Sequence, residues 1–398
     1  MSVTAAVGFE AGGIASGIKD SGAPDLALVA TVDRAPVSAA GVFTTNLVAA
    51  APVQISRRHL ADGHAAAVVC NSGNANAATG EQGRRDALRM CELTAEGLGC
   101  APTDVLVCET GLIGIPMPMV PVEAGIPALV SRLSADAAGG EAAAQAMLTT
   151  DTVRKETLQR ADAGGAPVTV GGMAKGAAML APAMATMLAV LTTDAAIEPG
   201  SLRALLEAAV EQSFNALIVD GCRSTNDTVL VLANGAAGNE PIAGPSPAYH
   251  ALGDALAAAC ADLARQMAAD AEGATKLARI VVRGARSRAE AALAARAVAT
   301  SQLVQCSLYG QDPYWGRVLS ELGASGACFD PERVDLAYNG VTVCRDGIAH
   351  PHDEVAVAAA MTGREIDIVA DLHAGSGEAS VLFTDLTHAY VDENLGRS

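Results

Sequence analysis

Thr186 stands near the middle of a 398-residue chain. It lies in the run Gly-Gly-Met-Ala-Lys-Gly-Ala-Ala-Met-Leu-Ala-Pro-Ala-Met-Ala-Thr-Met-Leu-Ala-Val-Leu-Thr-Thr-Asp-Ala, Gly171 to Ala195. A threonine hydroxyl is a weak nucleophile at neutral pH and needs a base beside it. Breaking the Ala185–Thr186 bond would create that base, because the new α-amino group of Thr186 has an unperturbed pKa of about 7.7–8.0. Such a value suits proton abstraction near pH 7. One residue then supplies nucleophile and base together. In the uncut chain the hydroxyl must first attack its own preceding carbonyl, an N-to-O acyl shift completed by hydrolysis. Spacing alone also fits a plainer picture, a buried small-residue helix or strand in which Thr186 only caps or packs.

Other stretches hold groups that suit acyl transfer. Val105 to Gly114 reads as a strand ending in a glycine-punctuated turn, which can aim the Thr110 hydroxyl and the Gly111 N–H at one point, the geometry of an oxyanion hole. Thr149-Thr150-Asp151-Thr152 suits a solvated helix-capping cluster. Glu272 follows a long helical pattern and by itself reads as solvent-facing. Gly8 to Lys19 is glycine-dense but lacks the Gly-x-Gly-x-x-Gly spacing of a dinucleotide site.

Lys-Gly-x-x-Met-x-x-Pro-x-Met-Ala-Thr-Met-Leu-x-x-Leu-Thr-Thr-Asp-Ala, beginning at Lys175, resembles the self-cleaving signature of the ornithine acetyltransferase family of arginine biosynthesis. Gly73 to Asn76, Ser224 to Thr228 and Asp385 to Asn394 are similar to further elements of that family, so the likeness covers essentially the whole chain. It implies that Thr186 is the nucleophile, its amine the base, and Ala185–Thr186 the cleaved bond. It implies that Thr110 and Gly111 form the oxyanion hole. Thr149, Lys175, Thr186, Glu272 and Asn394 take substrate-binding roles, with Ser398 the counterpart of a terminal Ser or Thr. The chain departs from the family at Tyr314, where an asparagine is usual, and in the short tail Leu395 to Ser398.

The elements that must position these residues follow from pattern. Asp25 to Val32 and Ala40 to Phe43 read as buried strands, with Val53 to Ile55 a short third after Pro52. Ser201 is expected to cap a helix whose core face is Leu202, Leu205, Leu206, Ala209 and Val210. Ala248 to Ala269 is a long amphipathic helix. Beyond it come a strand at 279–283, a helix at 288–300, and a hairpin at Asn339-Gly340. Glu365 to Leu372 and Ser380 to Thr384 are expected to pair.

Composition bounds the class. A net charge of −18 argues against nucleic acid or an anionic membrane as partner. Half the residues are hydrophobic but only 3% aromatic, which favours close-packed α/β layers of small side chains. The N-terminus lacks the basic and apolar regions of a signal peptide. Nine cysteines without a Cys-x-x-Cys pair suggest reduced thiols in the cytoplasm. By resemblance the fold is α+β, a four-layer αββα sandwich with a smaller C-terminal α+β domain. The expected segments are an α chain at 1–185, a β-chain start at 186–278 that completes the core, and the C-terminal domain at 279–398. The resemblance further implies an α2β2 heterotetramer with no metal or organic cofactor. The reaction it implies is ping-pong transfer of acetyl from N2-acetyl-L-ornithine to L-glutamate, with acetyl-CoA as a further donor in bifunctional members. A self-processing aminopeptidase or amidase of related fold is the alternative.

Overall fold

Leu26–Thr31 reads Leu-Ala-Leu-Val-Ala-Thr and buries all six residues, the pattern of a strand covered on both faces. Leu188–Thr193 and Thr228–Ala233 do the same. In the computed structural model, which describes residues 2–179 and 187–395, such strands build two face-to-face sheets. Among these residues the first sheet has the order Phe9–Ile14, Leu26–Thr31, Ala67–Asn74, Val105–Leu112. Its last two strands run parallel and the other neighbours antiparallel. The second has the order His64–Ala65, Val37–Phe43, Thr228–Ala233, Leu188–Thr193, Pro167–Lys175, Lys155–Asp162.

Phe9, Val29, Val68 and Leu106 of the first sheet share one core with Met173, Leu188, Val190 and Leu230 of the second. The alternate residues Leu28, Val69 and Val107 turn outward against Met90, Ile126 and Leu129, from helices Gly80–Leu98 and Met119–Val130. Helix Pro247–Ala269 covers the far face of the second sheet. There Asp262 accepts from Thr157 Oγ1 at 2.7 Å and Gln266 bonds the backbone of Glu156. Helix, sheet, sheet and helix make the expected αββα body. It comprises the chain through Ala177, then on to Asn215, and Arg223–Met267.

A second compact unit takes Ala178 and Met179, Ala216–Cys222, and the chain from Ala268 on. Its sheet runs Leu217–Ile218, Gly377–Thr384, Leu277–Ala285, Glu365–Asp371, Asp335–Tyr338, Val341–Arg345, Ile348–Ala349. Helix Arg288–Thr300 buries an alanine-rich stripe in this unit's core. The Asn339-Gly340 turn has φ of 46° and 83°, the left-handed pair that a two-residue hairpin requires. No helix among the described residues is long and apolar enough to cross a membrane.

Three expectations are corrected. Val53 to Ile55 is not a strand but part of helix Ala51–His59, with Pro52 in its first turn, where a fixed φ and a missing N–H cost nothing. Ser201 does not cap its helix, which starts at Pro199 after Glu198. The strands Glu365–Asp371 and Gly377–Thr384 do not pair, because Leu277–Ala285 lies between them, parallel to one and antiparallel to the other.

Candidate active site

Thr110 and Gly111 close the parallel pair of the first sheet, opposite Ser72 and Gly73. Gly111 has φ of +141°, and a Cβ there would lie 2.2 Å from the Gly73 carbonyl carbon, so only glycine lets the strands approach so closely. The asparagines of the neighbouring turn tie these strand ends down. Asn74 Oδ1 accepts the Asn76 N–H at 2.8 Å, and Asn76 Nδ2 donates to Gly83 O at 2.9 Å and Glu109 Oε1 at 3.3 Å. Asn226 Nδ2 donates to Ala75 O at 2.6 Å and to Glu109 O at 2.8 Å. The Asn-rich turn and the Ser224–Thr228 element therefore brace the Thr110 strand from both sides. Burial pushes the Glu109 carboxyl well above the usual range, the Asn76 hydrogen bond offsetting this only in part. Among the described residues its Oε2 has no hydrogen-bond partner.

Lys175 ends strand Pro167–Lys175 with its side chain buried. Its Nζ donates to Thr149 Oγ1 at 2.7 Å and stands 3.6 Å from Asp151 Oδ2. Asp151 also receives Lys155 Nζ at 2.6 Å and the Gly176 N–H at 2.7 Å, both on Oδ1. Burial alone would raise this carboxyl. The charges of Lys175 and Lys155 and the two donated hydrogen bonds override it, holding Asp151 well below the usual carboxylate range. A buried lysine side chain beside an ionised Asp151, with a hydroxyl next to it, makes a place that can receive a carboxylate.

Asp227 is fully buried, and its Oδ1 accepts the Met187 N–H at 3.0 Å. Burial drives this carboxyl well above its ordinary range. Met187 directly follows Thr186; Ala185, Thr186 and Ser398 themselves lie outside the described residues.

Glu272 and Asn394 belong to the second unit, where Asn394 Nδ2 donates to Glu272 Oε2 at 2.8 Å. Asp220 of the same unit accepts the Cys222 N–H at 2.9 Å, the Met179 N–H at 2.5 Å and the Tyr390 hydroxyl at 3.2 Å. Burial raises its carboxyl, these three donors pull it down, and the Glu272 charge raises it further. Two carboxyl groups with a phenol and an amide make a set suited to an ammonium group.

The structure thus joins Thr149 to Lys175 and Glu272 to Asn394, and sets Thr110 and Gly111 at one strand end. Sequence reasoning assigned no role to Asp151, Glu109, Asp220 or Tyr390. Asp151 had a signal, an acid within the Thr-Thr-Asp-Thr motif; Glu109 is marked only by its burial and Asp220 and Tyr390 only by their contacts, which the sequence does not show.

Two sheets packed between helical layers, with hydroxyl, amide and ammonium groups gathered at strand ends, define a four-layer αββα enzyme. More particularly, the chain belongs to the ArgJ family, whose sequence model matches residues 10–396. It is 51% identical to the arginine biosynthesis bifunctional protein ArgJ of Symbiobacterium thermophilum over 394 residues, 98% of this chain and 97% of that protein. It is 48% identical to that of Thermobifida fusca over 398 residues, the whole of both. Among solved structures, the arginine biosynthesis bifunctional protein ArgJ of Bacillus halodurans is 37% identical with a TM-score of 0.50, matching 52% of this chain and 96% of that one. The family resemblance read from the sequence is borne out.

Proposed function

We propose that this chain is a self-cleaving N-acetyltransferase that moves acetyl from N2-acetyl-L-ornithine to L-glutamate through acetyl-Thr186. The observation that carries this is membership of the ArgJ family along nearly the full length, supported by the buried Lys175 side chain with Thr149 and Asp151 beside it. The Bacillus halodurans chain supports the cut, since 96% of it aligns with only 52% of this one, as a product of cleavage near the middle would. Thr186 Oγ attacks the acetyl carbonyl while its own amine takes the proton. The Thr110 hydroxyl and Gly111 N–H stabilise the oxyanion, each donor contributing about 3 kcal/mol. The intermediate expels the α-nitrogen of ornithine, which leaves with the proton. The amine of glutamate then attacks the acetyl ester, and Thr186 Oγ departs and is reprotonated. By resemblance to the family, Lys175 takes the substrate carboxylate, and Glu272 and Asn394 have substrate-binding roles. Acetyl-CoA as an alternative donor, an α2β2 assembly and a cytoplasmic location, in keeping with nine free thiols, complete the proposal.

Intact-mass spectrometry beside a transfer assay tests it. Wild type should give two chains parted between Ala185 and Thr186 and should form N-acetylglutamate. Thr186→Ala should stay whole and inactive. Release of free acetate at equal rate without glutamate would replace this reading with a hydrolase.

A further inference from the structure

Lys19 is a lysine that the reaction above leaves unused. Its position is fixed from below by Asp25, a fully buried carboxylate whose two oxygens accept the N–H groups of Ser16, Gly17, Ile18 and Lys19 at 2.6, 3.1, 2.7 and 3.0 Å and the Ser16 hydroxyl at 2.8 Å. Five donors saturate that carboxylate and lock the turn from which the Lys19 side chain leaves. The ammonium then donates to Pro24 O at 2.8 Å and to Leu148 O at 2.6 Å. Both acceptors are neutral carbonyls. Among the described residues no carboxylate lies within ion-pair distance of it, although its side chain is half-buried.

Two contacts tie Lys19 to the candidate site. Leu148 precedes Thr149, whose hydroxyl accepts from Lys175, so Lys19 grips the carbonyl of the peptide leading into that pair. Its stem lies against Gly73, where an added Cβ would come within 3.0 Å of Lys19 Cγ, and Gly73 stands opposite Gly111 in the strand register. The Lys19 and Lys175 ammoniums are close enough to repel, and the Lys175 ammonium shares Asp151 with Lys155. Burial depresses the Lys19 ammonium, Asp25 opposes that, Lys175 adds to it, and Asp151 opposes it again. A half-buried ammonium whose direct partners are two neutral carbonyls still loses solvation, and an arriving carboxylate would offset that loss.

We infer that Lys19 is the second cation of the carboxylate-binding end of this site, acting with Lys175 on the carboxylate that donor and acceptor amino acids share. This rests on the amino-acid acetyl transfer proposed above. The ammonium has one N–H left after its two carbonyl bonds, enough for one charge-assisted contact.

Ornithine and putrescine carry the same two amines and differ by the carboxylate, so the ratio of their affinities reads carboxylate recognition. It is measured by calorimetry on wild type, Lys19→Met and Lys175→Met, beside transfer kinetics and intact mass. Lys19→Met keeps the stem and removes the charge. The expected result is an ornithine-over-putrescine ratio lowered about tenfold, the loss of one charge-assisted contact. KM for N-acetylornithine and for glutamate should rise together by a similar factor, with kcat within about twofold of wild type. Lys19→Arg should recover most of the ratio. Should Lys19→Met fail to fold, Lys175→Met still decides, because a second cation leaves it a clear preference for ornithine. An unchanged ratio in Lys19→Met, or no preference at all in Lys175→Met, would overturn the assignment. Wild type that binds ornithine with this preference but transfers no acetyl would sink the transferase and leave the Lys19 assignment standing.

Discussion

Glu109 sits one residue before Thr110 and is completely buried. Burial raises its carboxyl, so it is neutral in the folded chain at pH values where the unfolded chain ionises it. A raised folded pKa contributes stability that is fully present below the unfolded value, about 4.3, and is lost as pH rises toward the folded value. The slope is at most about 1.4 kcal/mol per pH unit. Glu109→Gln keeps the oxygen that Asn76 bonds and cannot ionise. Melting curves of the two proteins should nearly coincide in their pH response up to about pH 4, and above it wild type should lose ground steadily to Glu109→Gln. A gap that stays constant from pH 5 to pH 8 would mean that Glu109 is ionised in the fold. The same burial explains why no reading of the sequence singles it out: Cys-Glu-Thr at a strand end looks like any emerging strand, and Asn226, which tethers it, lies 117 residues away.

At the scale of elements, the strands with unbroken apolar runs were legible, as were the helix Arg288–Thr300 and the hairpin at Asn339-Gly340, because each is written in local chemistry. The pairing of the last two long strands was not, since what separates them is a strand from some 80 residues earlier that inserts between. Of the candidate site, the residues proposed by resemblance sit in recognisable motifs, and so does Asp151, whereas Glu109 and Asp220 carry no motif that the sequence shows. Glycine at 111 is where element and site meet. Its backbone lies in the left-handed half of φ space and its missing Cβ is what lets the parallel strands touch. Gly111→Ala should therefore cost about 2 kcal/mol or more and also displace the Thr110 hydroxyl. Urea unfolding should show the loss of stability, and N-acetylglutamate formation should fall much further than stability alone explains. Full activity in a stable Gly111→Ala protein would remove the oxyanion role from this strand end.

For the molecule as a whole, the order of strands decides what the proposed cut can do. In the second sheet Leu188–Thr193 lies between Pro167–Lys175 and Thr228–Ala233, and Thr228–Ala233 pairs on its other side with Val37–Phe43. A break before Thr186 would leave strands of the downstream chain flanked on both sides by strands of the upstream chain. All six residues of Leu188–Thr193 and of Thr228–Ala233 are buried, so drawing the chains apart would expose the shared core and open unpaired edges. The two chains should therefore co-elute in gel filtration and part only in denaturant. Refolding then separates the cut protein from the uncut one. Thr186→Ala rebuilds its sheet within one chain, and its yield should not depend on dilution. The cut wild type must bring two chains together, so its recovery should fall as protein concentration falls, even at concentrations too low for aggregation. Equal, concentration-independent recovery of both would show that one product chain folds without the other, which the interleaved order forbids.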